Sequence, residues 1–244
     1  IDAGQRGALI GERHYGIFFE EINHAGDGGL YAELISNRSF EDNSSAPDNW
    51  QAVNNARMSL TSDGLLNNAQ QHALELEIKT AGDGLRNGGF WGIHIVEGQT
   101  YKLSFWIKGK TAYKGTLTAS LLATDGTNLG STDIPLEATD QWTRLTAEIQ
   151  ATGEARDGSF ALTGSAPGTV VLDVVSLFPP TYKGRDNGCR IDLAEMLEAM
   201  NPSFVRFPGG CYVEGVYANG STNRFEWKKT IGPIEERPGH MNQN

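Results

Sequence analysis

The sequence predicts a mixed architecture: an all-β sandwich inserted after the first strand of a partial (β/α)8 TIM barrel. Three observations lead there. Strand-like alternation without intervening helices fills the chain from about Trp50 to Pro180. A compact apolar run ending in two adjacent carboxylates precedes it. A helical stripe, a short strand and a Gly-rich turn follow it, and that succession is one step of a β/α barrel.

The first run is His14-Tyr-Gly-Ile-Phe-Phe-Glu-Glu-Ile22, read as a buried strand with its polar groups at the carboxyl end. In it Phe18, Glu20 and Ile22 share one face, and Phe19 and Glu21 the other, so only one of the two glutamates can point into a barrel. Leu30, Leu34 and Ile35 then stand at helical spacing, which predicts a short helix from near Gly29. Asn43 to Pro47 marks a boundary, giving a first unit over 1–46.

The second unit, 47–180, is the sandwich. Tyr101, Leu103, Phe105 and Ile107 alternate with Lys102, Ser104, Trp106 and Lys108. Similar alternation recurs around Thr116–Leu122, Trp142–Ile149 and Thr169–Phe178, with Asp125-Gly126 and Ala166-Pro167-Gly168 as turns. In the third unit, 181–244, Asp192 and Glu195 form a capping-box signature. A stripe of Leu193, Met196, Leu197 and Met200 then stops at Asn201-Pro202. The strand Ser203–Phe207 is broken by Pro208-Gly209-Gly210.

Composition narrows the function classes. Twenty Lys plus Arg stand against 30 Asp plus Glu, a formal charge of −10, and no basic run interleaves with aromatics. Nucleic acid and anionic membrane surfaces are therefore excluded as expected partners. No apolar run approaches the roughly 20 residues of a spanning helix. Cys189 and Cys211 give neither metal-ligand spacing nor a disulfide framework. No cofactor or metal is called for. The opening Ile1-Asp2-Ala3, without an initiator Met or an apolar leader, fits a processed secretory precursor or a trimmed chain, and a secreted or periplasmic location is the expectation.

Three strings then become recognisable: YGIFFEEINHAGDGGLYAELISNRSFE, VRFPGGCYVEG and EWKKTIGPIEERPGH. In this order they resemble consecutive blocks of the α-L-arabinofuranosidases of glycoside hydrolase family 51. The middle of the chain, through YKLSFWIKG, WTRLTAEI and TVVLDVVSLFP, resembles a family 4/9-type carbohydrate-binding module, a jelly-roll sandwich. The resemblance implies hydrolysis of terminal α-L-arabinofuranosyl residues of plant cell-wall arabinan or arabinoxylan, with retention of configuration. Retention requires two carboxyl groups about 5 Å apart. In the family both are glutamates on later barrel strands, so the resemblance implies that no catalytic residue lies in these 244 residues and that the chain alone is inactive.

The resemblance also implies substrate-binding residues. Glu20 matches a first-strand glutamate that hydrogen-bonds the arabinose, and Arg206 an arginine that steadies the nucleophile's carboxylate. Cys211 matches a position close to a sugar hydroxyl, with a buried inert thiol as the alternative. Trp227 matches a tryptophan walling the pocket, where a core role is equally open. Asn23 and His24 could touch substrate, although turn chemistry explains them as well. Trp106, on the polar side of its strand, could stack a sugar or pack against the barrel. Nothing in the sequence separates core from platform for Trp50, Trp91 and Trp142. Asp173 resembles a position near a structural calcium, but one carboxylate does not make a metal site.

Expected partners are thus arabinose-containing poly- or oligosaccharides, the rest of the same enzyme chain, and a possible second copy in a homo-oligomer. Two rival readings remain open: a non-catalytic sugar-binding module, and a sandwich that only braces the barrel.

Overall fold

Alternating apolar residues place two antiparallel sheets face to face in the computed structural model, which describes residues 4–111, 113–218 and 221–239. Ile1 to Ala3, whose identity suggested a processed terminus, lie outside the described residues. The chain begins with a two-residue strand, β1 (Ile17–Phe18). The sandwich strands follow in order: β2 (Trp50–Val53), β3 (Arg57–Thr61), β4 (Ala73–Ile78), β5 (Gly84–Asn87), β6 (Ile93–Ile95), β7 (Thr100–Gly109), β8 (Tyr113–Leu122), β9 (Asn128–Ala138), β10 (Thr143–Gln150), β11 (Ala155–Gly164) and β12 (Gly168–Phe178). Then come helix α1 (Ile191–Ala199), strand β13 (Val205–Arg206) and the one-turn helix α2 (Cys211–Glu214).

One sheet has the order β10-β7-β12-β4-β3. The other runs β2-β5-β11-β8-β9, with β6 added to β11. Tyr101, Leu103, Phe105 and Ile107 are buried between them as the alternation requires, together with Leu74, Leu76, Leu117, Leu121, Phe160, Leu162, Val170 and Leu172.

β12 departs from simple alternation. From Val170 to Leu177 both of its faces are buried. Beyond Leu172, where its pairing with β4 stops, the free edge of β12 is taken by the chain leading into the sandwich. Leu34 donates its N–H to Leu177 O at 3.0 Å, and Val175 donates to Arg38 O at 2.8 Å. The expected helix from Gly29 is therefore absent. A π-type turn spans Gly26–Leu30, and Tyr31 is already extended. Leu34 and Ile35 serve the sheet instead, because hydrogen bonds to β12 outweigh a weak local helical preference.

This segment also enters the core upstream of Pro47. Ile35 and Phe40 are buried in it, and Phe40 packs on Trp50 at 5.3 Å between ring centroids. Trp50 is thereby a core residue, its Nε1 donating to Asn37 O at 2.9 Å. Ile35→Val should cost about 1 kcal/mol, read as a lower urea midpoint with an unchanged slope. An altered slope would mean that this segment is not part of the cooperative unit.

The expected capping box does not form. The N-cap of α1 is Arg190, and Asp192 lies inside the first turn, paired with the Arg190 guanidinium at 2.6 Å. An aspartate there still complements the helix dipole. The helix stops where expected, Asn201 taking φ +46 ahead of Pro202. Its apolar stripe lies largely open, with Met196 and Met200 exposed.

Candidate functional site

β1 and β13 pair in parallel, Ile17 opposite Val205 and Phe18 opposite Arg206. The ladder continues past both strands: Phe19 N–H donates to Arg206 O at 2.9 Å and Glu21 N–H to Pro208 O at 3.0 Å. Two strand ends far apart in sequence therefore finish side by side, and both glutamates emerge there. As strand parity requires, they diverge.

Glu20 turns toward the Pro-Gly-Gly loop. Its Oε1 accepts the N–H of Gly210 at 2.8 Å and of Tyr212 at 3.3 Å, at the start of α2. Gly209 makes this possible twice over. Its φ of +129 suits glycine, and a Cβ there would stand 2.3 Å from Glu20 Cγ. With Oε1 fixed by two charge-assisted hydrogen bonds, Oε2 has no partner among the described residues. A half-buried carboxylate with one oxygen anchored and one open is equipped to accept a hydrogen bond from a ligand hydroxyl.

Glu21 turns the other way and caps the loop after β1, its Oε2 accepting the Asp27 N–H at 3.1 Å. Gly26 is needed there, since a Cβ would overlap that oxygen at 1.9 Å. Burial raises the Glu21 carboxyl above its ordinary range against the opposing pull of the Asp27 and Gly26 N–H groups, and burial likewise raises Asp27. Burial, with the charges of Glu21 and Asp27, pushes the Tyr212 phenol up to about 12. The strand ends thus form a partly desolvated, acidic, hydrogen-bonding region, better suited to a neutral polyhydroxylated ligand than to an anion.

Of the residues singled out in the sequence, Glu20, Arg206 and Cys211 gather at these strand ends. Cys211 is exposed, opening α2 directly beside the Glu20 contact. Arg206 is exposed, its guanidinium over the Phe18 ring at 5.0 Å. Trp227 is 60% exposed on a 3-10 turn. Asn23 and His24 both adopt left-handed backbone conformations in the turn after β1.

Trp106 lies elsewhere, half-buried on the outer face of its sheet between Arg144 and Asp173. No hydrogen bond or ring contact joins it to the strand ends among the described residues. On the same unit, a shallow depression of about 380 Å³ is lined by Arg57, Met58, Ser59, Glu75 and Glu77 and has no aromatic platform. Among the described residues no three His, Cys, Asp or Glu side chains gather as metal ligands, Asp173 included. One carboxylate was not anticipated: Glu33, buried between Ala32 and Leu34, which ties the lead-in segment to β12. A lone acid inside an apolar run was the available signal.

Residues 32–168 match the family described as carbohydrate binding domain. The chain belongs to that family. Residues 196–244 match the α-L-arabinofuranosidase 1 domain. Over 99% of its length the chain is 38% identical to an extracellular exo-α-L-arabinofuranosidase of Streptomyces chartreusis, and it covers 30% of that protein. It is 36% identical over 99% of its length to α-L-arabinofuranosidase 1 of Arabidopsis thaliana, covering 37% of it. An arabinose-bound GH51 α-L-arabinofuranosidase superposes on 94% of the chain with a TM-score of 0.88 at 36% identity, 39% of that structure being covered. The chain thus spans about a third of the length of the curated relatives it matches, and both of its ends, as well as its sandwich, are homologous to α-L-arabinofuranosidases.

Proposed function

We propose that this chain supplies the first two strands of a (β/α)8 barrel, one wall of its sugar site and an inserted sandwich to a retaining, exo-acting α-L-arabinofuranosidase. The observation that carries this is Glu20. It sits at the carboxyl ends of two parallel neighbouring strands, where barrel enzymes build their sites, with Oε1 anchored on Gly210 and Tyr212 and Oε2 open. The parallel β1–β13 pair, separated by the sandwich and α1, has the connectivity of consecutive barrel strands. Exposed Phe18, Val205, Phe207 and Met196 form an apolar surface of the kind that further strands and helices would cover.

Glu20 and Glu21 are not the pair that retention needs, since they diverge and each holds backbone N–H groups. The nucleophile and acid/base belong, on this reading, to the remainder of the enzyme. Arg206, Cys211 and Trp227 are assigned to substrate binding around Glu20, and the substrate is the terminal arabinofuranosyl unit of arabinan or arabinoxylan. A secreted location accords with the extracellular Streptomyces relative. Among the described residues no helix is long and apolar enough to cross a membrane.

In the enzyme that carries this chain, Glu20→Ala should lower kcat/KM for 4-nitrophenyl α-L-arabinofuranoside about a hundredfold, the loss of one or two hydrogen bonds to a charged group. An unchanged kcat/KM would reduce Glu20 to a cap of α2. Membership of the carbohydrate binding domain family favours a second reading, in which the sandwich itself binds sugar through Trp106. Trp106→Ala should then weaken retention on arabinan in affinity electrophoresis and leave hydrolysis of the aryl glycoside intact.

A further inference from the structure

The loop between β5 and β6 brings the sandwich to the carboxyl end of β1. Between β5 and β6 the chain runs Gly88-Gly89-Phe90-Trp91-Gly92. Gly89 (φ +64) and Gly92 (φ +96) are left-handed, and neither has room for a side chain. A Cβ at 89 would stand 2.9 Å from Leu34 O, and one at 92 would stand 2.5 Å from Asp157 Cα. The glycines therefore draw the loop tight against its own unit and turn its two aromatics outward.

The turn after β1 is shaped to receive them. Phe90 seats against Gly28, where a Cβ would meet the ring at 2.6 Å. His24 takes φ +59, an uncommon conformation for a residue with a side chain. Its imidazole lies with centroids 5.4 Å from both Phe90 and Trp91, at 84° to the indole. Phe90 is half-buried by this packing, whereas Trp91 remains 70% exposed. A T-shaped contact occupies at most one face of the indole. The junction of the two units thus holds a large aromatic in a fixed orientation without covering it, three residues of chain beyond Glu21.

We propose that Trp91 is a sugar-stacking platform which the sandwich contributes to the mouth of the barrel site, where it takes the arabinofuranosyl units next to the one being cleaved. The chemistry fits: an indole held edge-on by His24 and flanked by Phe90 at 6.1 Å between centroids, yet still largely exposed, presents a flat apolar face to the C–H face of a neutral sugar, while the carboxylates of the strand end before His24 supply hydrogen-bond acceptors for its hydroxyls. The inserted module then tunes the preference for oligomeric over small substrates from its edge loop. This rests on the arabinofuranosidase reading given above.

The test uses the whole enzyme with W91A and W91F, comparing kcat/KM on 4-nitrophenyl α-L-arabinofuranoside and on a linear arabinan tetrasaccharide. The loss in W91A should be about tenfold greater on the tetrasaccharide than on the aryl glycoside, the worth of one aromatic contact, and should fall mainly on KM. W91F should recover most of it. Equal losses on the two substrates, or no loss on either, in an active enzyme would overturn the proposal alone. A wild-type enzyme inert on both substrates would overturn the hydrolase reading, and this proposal with it. Unchanged thermal unfolding of W91A, expected of so exposed a side chain, separates either result from misfolding.

Discussion

Asp173→Asn should raise the stability of the fold by on the order of 5 kcal/mol at pH 8 and by little near pH 4. Asp173 lies fully buried on β12, cross-strand from Trp106, at a bulge where Val174 takes φ +46. Its Oδ1 accepts the Val174 N–H at 2.7 Å, while its Oδ2 is buried without a partner. Burial, helped by the nearby charge of Glu41 and opposed by the Val174 N–H, pushes the carboxyl from 3.8 up to about 8. The unfolded chain ionises this group at its ordinary value, so between these two pH values the folded state holds a proton that the unfolded state has lost. Stability from this group is complete below the unfolded pKa and falls by about 1.4 kcal/mol per unit as pH rises through the window. Asparagine keeps the acceptor for Val174 and has no charge to desolvate. Urea unfolding at pH 5 and pH 8 checks this. The unsubstituted chain should lose markedly more stability between the two than the variant, whose remaining slope belongs to the other carboxyls raised by burial, Glu33 among them. Equal slopes in both proteins would place the proton elsewhere.

Glu33→Ala should act in the opposite direction and cost about 3–5 kcal/mol. Glu33 is buried and makes four contacts that hold the lead-in segment on β12. Oε1 accepts the N–H groups of Ile35 and Leu177 at 3.0 and 2.9 Å, and Oε2 pairs with Arg38 at 3.3 Å and with the Ser176 hydroxyl. Its carboxyl too is raised by burial, with Arg38 and these hydrogen bonds opposing. Truncation leaves two buried N–H groups, a hydroxyl and a largely buried guanidinium without their acceptor. For a domain of this size the loss corresponds to roughly 10 °C or more in Tm. Glu33→Gln, which keeps an acceptor, should lose less. If the two substitutions cost the same, the charge on Glu33 rather than its hydrogen bonds holds the segment.

These two carboxylates mark where sequence and structure part. The alternation of Tyr101, Leu103, Phe105 and Ile107 announces a half-buried strand, and the structure buries all four, because side-chain parity is a local property. The divergence of Glu20 and Glu21 is legible for the same reason, whereas the buried strand expected over His14–Ile22 is only Ile17–Phe18, with Phe18 exposed. What encloses each residue is not local. Leu30, Leu34 and Ile35 have helical spacing, yet β12, some 140 residues later, claims the backbone of this segment. The N–H groups that fix Glu20 come from Gly210 and Tyr212, far along the chain, so that its anchored oxygen had no signature. Trp50, Trp91 and Trp142 were equivalent in the sequence. The fold buries the first, presents the second, and ties the third to Gly64 O through its Nε1 at 3.0 Å under the Lys108 ammonium.

The acidic strand ends contribute to the negative charge balance. With Glu21 and Asp27 raised by burial and set beside Tyr212, the region disfavours anions and favours hydroxyl donors. A neutral furanose satisfies that condition without a counter-ion. The sandwich, in turn, is joined to the strand ends by the Phe90–His24 packing and by the segment over β12. Through these joints a module of the carbohydrate binding domain family can serve a site that is not on its own face.

The most direct measurement is a crystal structure of the enzyme carrying this chain with arabinose bound. The sugar should lie at the carboxyl ends of β1 and β13, with Glu20 Oε2 within about 3.2 Å of one of its hydroxyls and Oε1 still on Gly210 and Tyr212. Arabinose found only on the outer face of the sandwich beside Trp106, with Glu20 making no contact to it, would remove Glu20 and the strand ends from the sugar site.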